Sequence, residues 1–137
     1  MRREPTESQL QSMVLDLWRK TGRPGTRVAA IPNAGAFGQP GLTRGLPDLI
    51  CWGGDLLRGR TLFIELKTKR GTLSRYQDQI RAELTEAGVP YYVCRTFDDA
   101  CATLVAWRIV RPLGSVSESI SAQGTVARAG PTSVAPK

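Results

Sequence analysis

The strongest constraint on the fold is a short alternating run, T-L-F-I-E-L-K, from Thr61 to Lys67. Its β-branched and apolar residues read as a strand, and strand side chains point alternately to opposite faces. Leu62, Ile64 and Leu66 then share one face, while Phe63, Glu65 and Lys67 share the other. A face that carries an acid and an ammonium two residues apart, backed by aliphatic side chains, is costly to bury without a purpose. Upstream, R-G-L-P-D-L-I-C-W brings Asp48 to the mouth of a second apolar strand, Leu49 to Trp52. Two carboxylates able to hold a hard cation and an ammonium able to face a phosphate give a phosphodiester-cleaving site in outline. The plain alternative for Glu65 and Lys67 is an exposed, salt-bridged face of an edge strand.

The flanking chain supplies an α/β frame. Pro5-Thr6-Glu7 is a helix-start signal with Thr6 as N-cap and Gln9 three residues on, which opens a helix within Glu4 to Lys20. Leu10, Met13, Val14, Leu17 and Trp18 recur at helical spacing as one apolar stripe, and T-G-R-P-G stops the helix. Arg27 to Pro32 reads as a strand. Asn33 to Arg44 is Gly-rich and aperiodic, a long loop running directly into Asp48. After Leu49 to Trp52, G-G-D-L-L-R-G-R turns the chain back towards Thr61. Ser74 is placed to cap a helix reaching about Ala87, closed by Gly88 and Pro90, with Tyr76, Ile80, Leu84 and Ala87 as its buried stripe. Pro90 to Cys94 makes a fourth strand. Phe97 to Trp107 makes a last helix, whose Asp98 and Asp99 suit its positive end. From about Pro112 the composition shifts to Ser, Ala, Gly and Pro, which reads as a mobile tail with a short ordered piece near Val116 to Ile120. The expectation is an α/β domain over residues 1–111, a small mixed β-sheet flanked by helices in the order αβββαβα, with a tail over 112–137.

Composition narrows the chemistry. The 137 residues suffice for one core and not for two. A net charge of +7 and a pI near 9.9 point to a polyanionic partner, above all nucleic acid. The chain has no histidine, which removes His-based metal sites, Ser-His and Cys-His triads and His-metal nuclease mechanisms together. Cys51, Cys94 and Cys101 lie in apolar contexts without metal-ligand spacing, so reduced, partly buried thiols in a cytoplasmic protein are expected. No apolar run approaches membrane-spanning length, and M-R-R-E-P-T-E lacks the apolar core of a signal peptide. Trp18, Trp52 and Trp107 all fall on apolar faces and are expected in the core.

In the resulting site, Asp48 and Glu65 share a Mg2+, with Mn2+ able to substitute, and the Leu66 carbonyl is a further ligand. Lys67 activates the attacking water or neutralises charge at the phosphate. Lys69, Arg70 and Arg75 flank the site and Arg44 precedes it; each reads either as a phosphate contact or as ordinary solvated charge. Tyr76 is able to stack on a base, but its place in the helical stripe favours core packing. Asn33 either fixes its loop through an Asx turn or contacts DNA.

Taken together, Glu7, Asn33 with Gly35, R-G-L-P-D, I-E-L-K at Ile64 to Lys67, G-T-L-S-R-Y-Q at Gly71 to Gln77 and the Asp99-Ala100 pair carry a resemblance. They resemble the VRR-NUC (virus-type replication-repair nuclease) branch of the PD-(D/E)xK nuclease superfamily over roughly Glu7 to Leu104. The resemblance implies Asp48, Glu65 and Lys67 as the catalytic set, Gln77 as a supporting glutamine and Glu7 as a glutamate assisting the metal. The chain looks like the stand-alone viral or phage form, without the separate DNA-binding domains of larger members, and that form implies four-way junction cleavage in a host cytoplasm. A junction has approximate two-fold symmetry and each chain has one site, so a homodimeric Holliday-junction resolvase is the expectation. Its rivals are a monomer nicking flaps or branches and a non-catalytic nucleic-acid-binding module on the same fold; the intact carboxylates speak against the second.

Overall fold

A computed structural model describes residues 3–32 and 40–112. Helix α1 (Glu7–Thr21) starts at Thr6, whose hydroxyl accepts from the Gln9 amide while the Gln9 side chain accepts from the Thr6 amide, a reciprocal cap. Strands β1 (Arg27–Ala30), β2 (Leu49–Trp52) and β3 (Thr61–Leu66) follow, with a 3-10 turn at Asp55–Leu57 before β3. Helix α2 (Arg75–Glu86), strand β4 (Tyr91–Cys94) and helix α3 (Phe97–Ala106) complete the order αβββαβα. The four strands form one mixed sheet in the order β1-β2-β3-β4. The first two pairings are antiparallel and the last, bridged by α2, is parallel.

Period-two alternation splits the sheet into a wet face and a dry one. Val28, Leu49, Cys51, Leu62, Ile64, Leu66 and Cys94 point to the dry face, where α1 and α3 lie across them. Leu10, Val14 and Leu17 from α1 and Ala100, Cys101 and Leu104 from α3 close that core. The apolar stripes of both helices are thus used as the spacing predicts. All three cysteines are free and buried there, and burial pushes the Cys51 thiol up to about 12, so none is a thiolate near neutrality.

Several side chains lie elsewhere than the sequence suggests. Trp52 is 44% exposed, because α1 and α3 cover only the face opposite to it; Trp107 is in the core, and Trp18 packs at its edge. Met13 lies on the solvent side of α1. On α2 only Ile80 is buried: Leu84 is half-buried, and Tyr76 and Ala87 are exposed, since this helix meets the sheet mainly at β4. The G-G-D-L-L-R-G-R turn is more than a connection, for its 3-10 segment inserts Leu57 into the core. Ile109 and Val110, beyond α3, are also fully buried. Val110 bridges Gly22, Arg23 N donates to Ile109 O at 2.9 Å, and Arg111 N donates to Thr21 O at 2.9 Å. The chain after α3 is thereby sewn to the end of α1. The loop residue Asn33 and the segment Val116 to Ile120 lie outside the described residues.

Among the described residues no helix is long and apolar enough to cross a membrane. Ile64, fully buried in the middle of β3, carries the dry face. Ile64→Ala is expected to lower unfolding free energy by about 2–5 kcal/mol, whereas Met13→Ala at its exposed site changes it by less than about 0.5 kcal/mol. Urea denaturation followed by circular dichroism checks both.

Candidate active site

Just before β2 begins, Asp48 takes over the work of a strand. Pro47 has no N–H to offer, so the ladder stops at the Leu49–Ile64 pair. Leu66 N, one pair beyond the end of the ladder, donates instead to the Asp48 side chain, at Oδ2, 2.7 Å. Its backbone carbonyl meanwhile accepts from Ile31 N at 2.8 Å, continuing the β1–β2 pairing. A strand residue sends its N–H and C=O to the same edge, so the Leu66 carbonyl also leaves β3 on the Asp48 side.

Parity brings Glu65 to the wet face next to Asp48. Glu65 is only 1% exposed, beneath the first turn of α2. Gln77 links that turn to it. Its Oε1 accepts from Ser74 N at 2.8 Å to close a capping box, and its Nε2 donates to Glu65 Oε2 at 3.0 Å. The same S-x-x-Q spacing that starts the helix therefore aims an amide at the carboxylate. Glu65 Oε1 is buried with no hydrogen-bond partner among the described residues. Burial first, and then the neighbouring Asp48 carboxylate, raise the Glu65 pKa from 4.5 to about 8.

Lys67 follows on the same face and is 8% exposed. Its amide donates to Cys94 O at 3.1 Å, and its charge partly offsets that of Glu65. Among the described residues it closes no ion pair within 4 Å. Glu7, exposed in the first turn of α1, approaches from the other side. A Cβ placed on Gly71 would lie 3.5 Å from both Glu7 Oε2 and the Lys67 stem, ordinary van der Waals contact, which puts Glu7 and Lys67 beside that residue.

This donor set fits a hard divalent cation. Each carboxylate has one oxygen fixed by an N–H and one left over, and the leftover oxygen of Glu65 is buried and unpartnered. Among the described residues, no three His, Cys, Asp or Glu side chains gather as a closed metal cage. Magnesium needs none, for it is commonly held by one or two carboxylates with water and phosphate oxygens. Asp48, Glu65 and the Leu66 carbonyl are the groups that could hold such an ion, with the Glu7 charge at the edge.

The sequence singled out most of these residues, missed Arg95 and placed Tyr76 in the core. Arg95, just after β4, donates from Nη1 to Thr68 O at 2.9 Å and to Gly71 O, with Lys69 O at 3.5 Å. It thereby fixes the turn following Lys67, and a lone basic residue before a helix gives no signal of that. Tyr76 is 36% exposed rather than core, with Arg44 and Arg75 both over its ring. Of the other expected phosphate contacts, Lys69 pairs with Glu4 at 3.5 Å and Arg70 is exposed beside it.

The buried acid makes stability depend on pH. A folded pKa near 8 against an unfolded value near 4.5 means the native state binds a proton that the unfolded state has lost. The stabilisation is complete below about pH 4.5 and is lost as pH rises through 8, on the order of a few kcal/mol. In chelator, the melting temperature is expected to fall between pH 5 and 9. Glu65→Gln should flatten that fall and melt higher at the alkaline end, as read by differential scanning calorimetry.

The family model for the VRR-NUC domain matches residues 6–98, which spans every site residue just described. A solved structure titled "VRR_NUC domain protein" is similar at a TM-score of 0.63 and 22% identity, covering 77% of this chain and 89% of its own. A second, titled "VRR_NUC domain", gives 0.51 and 17%, covering 74% and 96%. At such identities these two support the fold alone. Comparison with curated proteins gives no match. On the extent of the family match, the chain belongs to the VRR-NUC domain family, which implies a nuclease-type, DNA-processing function.

Proposed function

We propose that the protein is a metal-dependent endonuclease that hydrolyses phosphodiester bonds in branched DNA. The observation that carries this reading is the buried Glu65 carboxylate, with one unpartnered oxygen, set beside Asp48 and Lys67. A structural ion pair would leave no such oxygen; a site awaiting a cation and a phosphate requires one. A bound Mg2+ would polarise a phosphate oxygen and lower the pKa of a water. Gln77 keeps Glu65 in one orientation, and the Leu66 amide does the same for Asp48. Lys67 supplies a fixed positive charge where negative charge grows on the phosphate, in surroundings too dry to screen it.

Wild-type protein given labelled duplex, flap, splayed and four-way DNA should cut in Mg2+ or Mn2+ and not in chelator. Asp48→Asn, Glu65→Gln and Lys67→Ala should each slow cutting by about 100-fold or more, with helical circular dichroism retained. Wild-type rates in any one variant would sink the assignment. Binding without cutting by the wild type would leave a nucleic-acid-binding module.

Within that reading the substrate is a four-way junction and the active unit a homodimer. One Asp48–Glu65–Lys67 set per chain makes one cut, while resolving a junction takes two cuts related by two-fold symmetry. Light scattering at working concentration is expected to give the mass of two chains, and a plasmid-borne cruciform to be linearised by coupled cuts. A monomeric mass with uncoupled nicks would replace the resolvase by a nuclease that nicks one branch at a time.

A further inference from the structure

Several cations near the site are already engaged within the protein. Lys69 and Arg81 have carboxylate partners, at 3.5 and 2.7 Å, and Arg95 is enclosed by backbone carbonyls. Arg44 and Arg75 have neither. Their guanidinium carbons lie 5.4 and 5.1 Å from the centroid of one exposed ring, Tyr76. Among the described residues, neither closes an ion pair within 4 Å. Asp78, in the same helical turn, is taken by Arg81. Two like charges gathered on one tyrosine repel each other, and an anion between them would turn that repulsion into attraction.

What the cluster has left to offer is N–H groups. Arg75 Nη2 donates to the Tyr76 hydroxyl at 3.3 Å, which leaves most of the five N–H donors of that guanidinium free. The cations stand over the ring, so an aromatic surface for a base is not the open feature. Nor is the start of α2, because Ser74 already accepts from the amides of Gln77 and Asp78. Planar forks of N–H donors match phosphate oxygens. The hydrogen bonds from Arg75 and then Arg44 also hold the phenol below its usual pKa, in keeping with concentrated positive charge.

The cluster is also fixed relative to the carboxylates. Gly45, directly after Arg44, has φ +87° and packs so tightly on the first turn of α2 that a Cβ there would collide with the Tyr76 carbonyl. From Arg44 the chain runs on to Asp48, and from Tyr76 the next residue is the Gln77 that bonds Glu65. We propose that Arg44 and Arg75, held together by Tyr76, clamp a DNA backbone phosphate flanking the one that is cut. The choice of DNA as the ligand rests on the nuclease reading above. Tyr76 is then a positioning residue that touches the guanidiniums rather than the substrate.

The test is binding of fluorescently labelled four-way DNA in chelator across a range of KCl concentrations, with intact DNA verified on a denaturing gel. Arg44→Ala and Arg75→Ala should each weaken binding about tenfold and reduce the slope of log K against log[salt] by roughly 0.9. Tyr76→Leu should weaken binding about threefold at unchanged slope, since it disorders the clamp without removing charge. Arg58→Ala, on the turn at the far end of β3 from Glu65, is the reference for an unrelated surface charge. Slopes for Arg44→Ala and Arg75→Ala that move no more than that of Arg58→Ala would overturn the clamp. So would a Tyr76→Leu loss exceeding both arginine variants, which would make the ring a stacking surface for a base. Wild-type protein that binds with these slopes yet never cuts keeps the clamp and fails the nuclease reading; one that cuts, with flat arginine variants, fails the clamp alone.

Discussion

The hydrogen bond from Leu66 N to Asp48 Oδ2 ties the sheet to its chemistry. The β2–β3 ladder stops at the Leu49–Ile64 pair, and the Asp48 side chain accepts the next β3 N–H that faces β2, that of Leu66. Once that bond sets the register, everything on β3 follows by parity. Leu62, Ile64 and Leu66 go down into the core, and Glu65 and Lys67 come up beside Asp48. A slip of one residue would bury both charges among leucines and expose the aliphatic side chains, so the hydrophobic pattern that folds the sheet is also what assembles the site.

The second device is Gln77, one amide with two duties. Its carbonyl end completes the cap of α2 and its nitrogen end holds Glu65. Because the capping box fixes the carbonyl end, the N–H end has one direction in which to point. The carboxylate is therefore oriented by helix formation itself. It is not made comfortable: one oxygen has no partner, and its pKa sits near 8. That instability is local, carried by a six-residue strand whose opposite face is entirely apolar and buried. A firm dry core beneath is what lets the wet face keep an unsatisfied acid.

Legibility in the sequence followed the reach of each signal. The αβββαβα order and the Thr6 and Ser74 caps depend on patterns within a few residues and are present, and the parity of β3 with the Asp48 entry brings Asp48, Glu65 and Lys67 to one face. Solvent exposure on α2 was not legible, because it depends on which strand the helix meets. An apolar stripe at Tyr76, Ile80, Leu84 and Ala87 looks the same whether one turn or three are covered, and only Ile80 is buried. Trp52 fails for a related reason: alternation tells which face it shares with Ile50, not that no helix covers it at that end. Arg95 and the buried Ile109–Val110 pair depend on contacts between distant segments, with no local mark at all.

Electrostatics sets the remaining problem. In the proposed reading a phosphate would approach Asp48 and a Glu65 whose pKa burial and Asp48 raise to about 8, with Lys67 partly offsetting the negative charge. Of the other cations nearby, Lys69 and Arg81 have carboxylate partners, Glu4 and Asp78. The net +7 therefore matters less than where unpaired charge is held. Arg44 and Arg75 place two such charges at the junction of the Asp48 loop and the Gln77 helix, the two segments that supply and orient the carboxylates. On the proposed clamp, a strand gripped at that rim would be positioned beside the site before its phosphate meets Asp48 and Glu65. The order of contact would then be set by the packing of Gly45 on Tyr76, a backbone feature rather than a charged one.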